Sequence, residues 1–348
     1  MNITFLIGNG FDLNLGLKTK YSDFYNYYLS IPDNGLTEVV RQFKKDLKNN
    51  LENWADLELA IGQYLEKFNE NDVNDIIELL NNLQDSLADY IDMQEVGFTI
   101  SEEDKKKLGR DLFCPEEYLT AREKQDFNRY KQTISNSAYN VNIVIFNYTQ
   151  SFEILYNYEN KEKQIGSHIA QHNTYINVLK SVEHIHGDTK DNMILGLNDV
   201  SQIKNNKLQT IVKLKRAIIK PDMNRYAGTL RDDRCKILVN SSDLICIFGM
   251  SIGETDKIWW QLVIKILLES NARLIIFSVF GQIVRRRSYQ LQDEKDAMVD
   301  KLMSFSQLNQ TQKDTIRDRI FVCFNSEMFN VKRILQDSKD EIIISKAI

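Results

Sequence analysis

Four short motifs hold residue types that could do chemistry on a nucleotide. Gly8-Asn9-Gly10-Phe11-Asp12 sets two glycines, an amide and a carboxylate directly behind the apolar run Ile3 to Ile7. A strand end that feeds a helix is where an open α/β sheet holds phosphate, through exposed N–H groups and the helix dipole. Leu13 stands where a dinucleotide fingerprint would have its third glycine, so the dehydrogenase pattern is broken. Plainer readings are a hairpin turn at Asn9-Gly10 and an N-cap role for Asp12.

Phe146-Asn147-Tyr148-Thr149 follows a second apolar run, which puts Asn147 at the same rim and makes Thr149 a candidate cap for the next helix. An uncharged amide offers a donor and an acceptor, which suits it to position a sugar hydroxyl or a water beside a reacting carbon. In His184-Ile185-His186-Gly187-Asp188 the strand alternation puts both histidines on one face, where one of them could be a general base near neutral pH. All four histidines fall between 168 and 186. The i, i+4 spacing of His168 and His172, joined to His184 and His186, makes a metal site a competing arrangement, although no carboxylate partner can be placed beside it. Phe248-Gly249-Met250-Ser251-Ile252-Gly253-Glu254-Thr255-Asp256 ends a further apolar run. Gly249 and Ser251 could approach a nucleotide closely, whereas Glu254 and Asp256 suit the first turn of the following helix. In that helix Trp259 and Trp260 read as core.

The elements that must position these motifs follow from periodicity. Near-continuous apolar runs at Ile3 to Ile7, Ile143 to Phe146, Val182 to Ile185, Met193 to Leu197, Leu244 to Phe248, Leu274 to Val279 and Ile320 to Phe324 predict buried strands. Helical stretches lie between most of them, so the expected fold is α/β: a Rossmann-like, doubly wound, mostly parallel sheet. Glu341 to Ser345 reads as an edge strand. From residue 21 to 140 the period changes to that of amphipathic helices, as in Trp54, Leu57, Ile61, Tyr64, Leu65 and Phe68, and four to six helices are predicted. The expected organisation is a nucleotide-binding domain formed by 1–20 and 141–348, with 21–140 inserted as a helical cap.

Composition narrows the classes. The 348 residues carry 44 Lys and Arg against 49 Asp and Glu, a formal charge of -5, which disfavours generic nucleic-acid coating. Lys204 to Lys220, with six cations and no acid, and Arg285-Arg286-Arg287 read as solvated helix faces. The four cysteines are far apart, so a Cys-rich zinc module is not expected, and Cys246 and Cys323 read as reduced core residues. No signal-peptide pattern opens the chain and no run approaches the ~18 apolar residues of a membrane span, so a cytoplasmic protein is expected.

As an ordered set, Leu6 to Leu13, Trp54 with Glu58, Phe146-Asn147-Tyr148-Thr149, His184-Ile185-His186-Gly187 and Gly249 to Gly253 with Asp256 resemble the AbiH family, bacterial abortive-infection proteins directed against phage. The resemblance spans most of the chain. That family in turn resembles, at a distance, the sirtuins, with their Gly-rich first loop, Asn-containing strand end, His-Gly and Gly-x-Ser. The resemblance implies that Gly8, Gly10, Gly249 and Ser251 line a nucleotide site, joined by Asn9, Phe11, Asp12, Thr149 and Asp256 of the same motifs. It implies that Asn147 orients the reacting ribose or water, that His186 is the base, and that Asp12 or an acid of the insertion stabilises positive charge. Asp12 stands where sirtuins usually have Ser, and the four-cysteine zinc module has no counterpart here. The implied activity is therefore NAD glycohydrolysis rather than deacylation, with NAD as substrate or ligand and no metal.

Nicotinamide leaves as a neutral ring, so the chemical burden falls on an oxocarbenium-like ribose and its attacking water. Within the insertion Trp54, Asp56 and Glu58 are candidates to reach the site, although packing for Trp54 and solvent exposure for the acids is the plainer expectation. A phage-derived trigger and a homo-oligomer are the partners this resemblance suggests, with neither membrane nor nucleic acid. Two other classes stand beside it: a non-catalytic nucleotide sensor, and a metal-dependent nucleotide or nucleic-acid hydrolase built on His168, His172, His184 and His186.

Overall fold

Seven strands form one mixed sheet in the computed structural model, which describes residues 1–50, 54, 56–94, 100–281 and 286–331. The strands are β1 (Asn2–Ile7), β2 (Asn140–Ile145), β3 (Lys163–Ala170), β4 (Asn173–His184), β5 (Leu244–Phe248), β6 (Arg273–Ser278) and β7 (Ile320–Phe324), in the order β3-β4-β2-β1-β5-β6-β7. All neighbouring pairs are parallel except β3 with β4. The chain first builds from β1 towards β2 and later returns to β1's other side with β5. The direction of winding therefore reverses between β1 and β5, and a crevice opens at such a reversal.

The helices are α1 (Gly10–Asn14), α2 (Tyr21–Ser30), α3 (Glu38–Asn49), α4 (Leu57–Tyr64), α5 (Val73–Gln94), α6 (Glu102–Phe113), α7 (Ala121–Ile134), α8 (Ser151–Tyr156), α9 (Val212–Ile218), α10 (Lys220–Tyr226), α11 (Arg231–Asn240), α12 (Lys257–Glu269), α13 (Ser288–Met303) and α14 (Gln310–Arg317). Alternation along β1 sends Ile3, Phe5 and Ile7 to one face and Leu6 to the other. The first face packs against apolar residues of α1, α6, α7 and α8, and the second against α11, α12, α13 and α14. Burial on both faces is what the continuous apolar runs of β1, β2, β5 and β6 require. The doubly wound α/β expectation holds.

Seven α-helices lie between β1 and β2 among the described residues, and six of them, α2 to α7, form the large helical insertion expected from the change of period. They part company by packing. Leu108, Leu112 and Phe127 of α6 and α7 belong to the core that covers the sheet. Those of α2 to α5 form a separate core shared with Met193, Leu195, Leu197, Leu214 and Ile218, from far along the chain.

Several sequence expectations need correction here. Met193 to Leu197 is not a strand; it is extended chain with a single bridge from Leu197 to Ile219, and its apolar residues face the insertion's core rather than the sheet. One edge strand, β3, mixes Lys163, Gln164, Ser167 and His168 with its apolar residues and has a register shift between Gln164 and Gly166, so no apolar run marks it. A hairpin at Asn9-Gly10 is excluded, because β1 pairs in parallel on both sides. Glu341 to Ser345 and Arg285 lie outside the described residues, while Arg286 and Arg287 are exposed. Trp259, Trp260, Cys246 and Cys323 are buried as expected.

Candidate functional site

The loops after β1, β2 and β5 meet over the reversal point and wall a cavity of about 320 Å³, within the range of small-molecule sites. Gly8, Asn9, Asp12, Asn147, Thr149, His186, Gly249, Ser251 and Asp256 all line it. The four sequence motifs, separated by up to 248 positions, therefore converge on one place. Gly10 lies outside this cavity, on the wall of a neighbouring one. Phe11 does not face it either: its ring is 1% exposed and packs among Phe152, Phe248 and Phe329 beneath the loop.

The glycines of the first loop allow a close approach to the β5 loop. A Cβ on Gly10 would come within 2.4 Å of the Gly249 Cα, and one on Gly8 within 2.8 Å of the Gly249 carbonyl oxygen. Gly249 itself has φ +66°, a conformation costly for a side chain. The amides of Gly8, Gly10 and Phe11 donate to the carbonyls of Phe248, Gly249 and Gly8. The first two tie the first loop to the β5 loop, and the third closes the turn within it. The Asn9 amide turns aside to the Thr19 carbonyl at 2.9 Å.

Asp12 is not an N-cap: Asn9 takes that position, and Asp12 sits inside α1, 1% exposed. Its carboxylate accepts from Asn147 Nδ2 at 3.1 Å, from Thr149 Oγ1 at 2.9 Å and from Ser151 Oγ. Thr149 is thus spent on Asp12, and Gln150 is the N-cap of α8. Asn147 Nδ2 also donates to the Gly8 carbonyl at 3.1 Å. With both amide protons used inside the protein, the group Asn147 can present to a ligand is its carbonyl oxygen, an acceptor.

His184 and His186 live in different surroundings. His184 Nε2 is 2.7 Å from Glu153 Oε1 on α8, and its Nδ1 is 3.2 Å from the Asn147 carbonyl. Burial lowers its pKa, but the hydrogen bond and charge of Glu153 outweigh that and raise it. His186 faces the cavity, edge-on to Phe146. Burial, reinforced by the Lys220 charge, pushes its pKa well below the ordinary histidine value. Lys220 Nζ lies 3.3 Å from Nε2, and since an ammonium only donates, Nε2 accepts and the ring proton sits on Nδ1, which is buried without a partner. In this arrangement Nε2, the ring atom left to take a proton, already faces the Lys220 ammonium.

The proposed four-histidine cluster does not assemble. His168 lies within β3, stacked on Tyr139 at 3.8 Å, and His172 is in the β3–β4 turn with φ +67°. The helical spacing assumed for that pair is therefore wrong, and β4, 12 residues at ~3.3 Å each, separates His172 from His184 by roughly 40 Å. Among the described residues no group of three or more His, Cys, Asp or Glu is placed to hold a metal ion.

Two acids of the insertion, expected to be solvent-exposed, are instead wall residues. Glu58, on α4 and 5% exposed, pairs with Lys220 Nζ at 2.7 Å and accepts from Tyr148 Oη at 3.2 Å. Burial raises its pKa against the opposing pull of Lys220. Lys220 is 3% exposed, so the last cation of the basic stretch is no solvated residue. Asp56 caps α4 by accepting from the Leu59 amide at 3.0 Å and reaches across to Thr255 Oγ1 at 2.8 Å. Tyr21 completes this wall. Asp256 faces them with its pKa pushed up to about 6, mainly by desolvation, with Lys220 opposing and Glu58 and Asp56 adding. Trp54 is core, packed on Phe43 and Tyr64.

The family model described as bacteriophage abortive infection AbiH matches residues 4–278, a span that takes in every wall residue of the cavity. The chain belongs to the AbiH family. It is thus an abortive-infection, anti-phage protein, and the motifs that converge on the cavity are those of an AbiH member. Comparison with curated proteins returns no match. Among the described residues no helix is long and apolar enough to cross a membrane.

Proposed function

We propose that this AbiH protein cleaves the N-glycosidic bond of NAD, releasing nicotinamide and ADP-ribose. The supporting observation is the charge of the cavity. Asp12, Asp56, Glu58 and Asp256 all line it, whereas Lys220, already paired with Glu58, is the single Lys or Arg among the described wall residues. An acidic, partly desolvated chamber favours a cationic pyridinium and, still more, the positive charge that develops on the ribose as the ring leaves.

In the reaction the C1′–N bond breaks with its electron pair on the nicotinamide nitrogen, so the leaving group departs neutral. A water oxygen bonds to C1′, and a carboxylate takes its proton. Asp256 suits that last role, since a pKa of about 6 leaves it ionised yet basic near neutral pH. The Asn147 carbonyl oxygen can hold the water or a ribose hydroxyl, and Asp12 acts as a positioning residue by fixing the Asn147 amide. His186, its Nε2 facing Lys220 and its pKa lowered by burial and that charge, is a wall residue rather than the base.

The test is to incubate purified protein with NAD, alone and after Asp256→Asn, Asn147→Ala and His186→Ala, and to follow products by mass spectrometry. Nicotinamide and ADP-ribose from the native chain, falling by about 10²-fold or more in Asp256→Asn and Asn147→Ala, is the expected result. NAD binding without turnover under any condition, including phage lysate, would replace the enzyme by a nucleotide sensor.

A further inference from the structure

A second cavity, of about 400 Å³, opens on the other side of the β5 loop, beyond the carboxyl ends of β1, β5, β6 and β7. We infer that it is a binding subsite for an uncharged nucleoside, the adenosine half of the dinucleotide whose nicotinamide half enters the acidic cavity. This rests on the NAD reading above, and three features of the second cavity lead to it.

The first is continuity. Gly249 and Met250 belong to the walls of both cavities, so only one backbone crest separates them. Gly8, Gly10 and Gly249 meet at this crest, with the Met250 side chain against Gly8. The second is chemistry. No charged side chain lines the second cavity among the described residues, in contrast to the four carboxylates of the first. Its walls combine Leu13, Phe248, Phe277 and Val279 with Asn14, Ser278, Asn325 and Ser326, a largely apolar seat for a flat heteroaromatic ring with amide and hydroxyl groups beside it for a sugar. The third is exposure. Val279, a wall residue, is 89% exposed, so an apolar side chain is open to an incoming ring. The wall behind it is fixed: Asn325, at φ +52°, receives the Phe280 amide at 2.9 Å and donates to the Phe280 carbonyl at 2.8 Å.

The two cavities divide a dinucleotide by charge. A pyridinium riboside suits the acidic side and a neutral adenosine the other. A mononucleotide would use only the first.

The experiment compares cleavage of NAD and of nicotinamide mononucleotide by the native chain and by Val279→Glu, with Val212→Glu, at a distant exposed valine, as control. Because Val279 is exposed the variant should fold, and circular dichroism verifies it. The expected result is an NAD KM raised about tenfold or more in Val279→Glu, with mononucleotide cleavage unchanged. Equal effects on both substrates, or on neither, would overturn the subsite. Ligand-observed NMR with millimolar adenosine gives a readout independent of turnover. Adenosine should bind the native chain and Asp256→Asn alike and be lost in Val279→Glu. If NAD is not cleaved but this pattern holds, the glycohydrolase reading has failed and the subsite stands; if adenosine does not bind the native chain, the subsite has failed whatever the activity.

Discussion

Asp256 concentrates the cost of the acidic cavity in one side chain. Its pKa is raised from the usual 3.8 to about 6, so the folded state prefers the protonated acid. A raised value means stability is fully present below pH 3.8 and is lost as pH rises through 6. Asp256→Asn, which cannot ionise, should therefore be more stable than the native chain at pH 7 to 8, by roughly 3 kcal/mol at most, and no more stable near pH 3.5. Urea denaturation at the two pH values checks this, and an equal gain at both would remove the electrostatic account. If Asp256 is the base, the acid limb of kcat/KM should fall with an apparent pKa near 6. Glu58 and Lys220 make the opposite case. Removing one partner leaves a buried charge, so Glu58→Gln and Lys220→Met should each cost about 3–5 kcal/mol, and the double variant much less than their sum. A double-mutant cycle by chemical denaturation measures it, and additive losses would show that the pair is not coupled. These residues also mark what the sequence could not disclose. Asn147, His186 and Asp256 follow apolar runs and are found by local pattern, but Glu58 and Lys220 meet across 162 positions, and no window joins an acid of an amphipathic helix to the last cation of a basic stretch.

Elements were legible in proportion to how fully they are buried. β1, β5 and β7 are continuous apolar runs and fall where expected. β3 escapes because an edge strand needs no such run, and Met193 to Leu197 misleads because a segment that packs on helices can be as apolar as a strand. The first loop shows the same limit: its glycines are evident, but the approach of the β5 loop that they allow is not. Gly10→Ala tests that reason. In an ordinary helix the change would stabilise by up to about 1 kcal/mol. Here the added Cβ meets the Gly249 backbone at 2.4 Å, neither side can yield by a rotamer change, and a loss of at least about 1–3 kcal/mol is expected. Gly281→Ala, where no atom of the described residues lies within 4 Å of the Cβ, should stay within about 0.5 kcal/mol. Thermal melts of both variants decide it. Equal, small effects would mean that the loop contact is loose.

At the scale of the whole molecule, the decisive feature is that the insertion's second core is not made by the insertion alone. Tyr148, from the loop after β2, and the segment from Met193 to Ile219 complete it. Glu58 with Lys220 and Asp56 with Thr255 then tie it to the cavity rim. A cap that borrows its core from the chain beneath should not melt ahead of the sheet, although a contiguous stretch of helices invites the opposite expectation. The three tryptophans report on the two cores separately, because Trp54 lies in the insertion's core and Trp259 and Trp260 lie under the sheet. In Trp54→Phe, and in the double variant Trp259→Phe with Trp260→Phe, the urea midpoint by fluorescence should coincide with that by circular dichroism. Comparison within each variant removes the stability cost of the substitutions themselves. If the Trp54 signal is lost at a lower urea concentration than the backbone signal, the cap opens as an independent unit, and the cavity it walls would be assembled and dismantled without unfolding the sheet. A single transition means that a ligand bound in the acidic cavity, held from both sides by Glu58 and Asp256, stabilises cap and sheet together. NAD or ADP-ribose should then raise both midpoints equally.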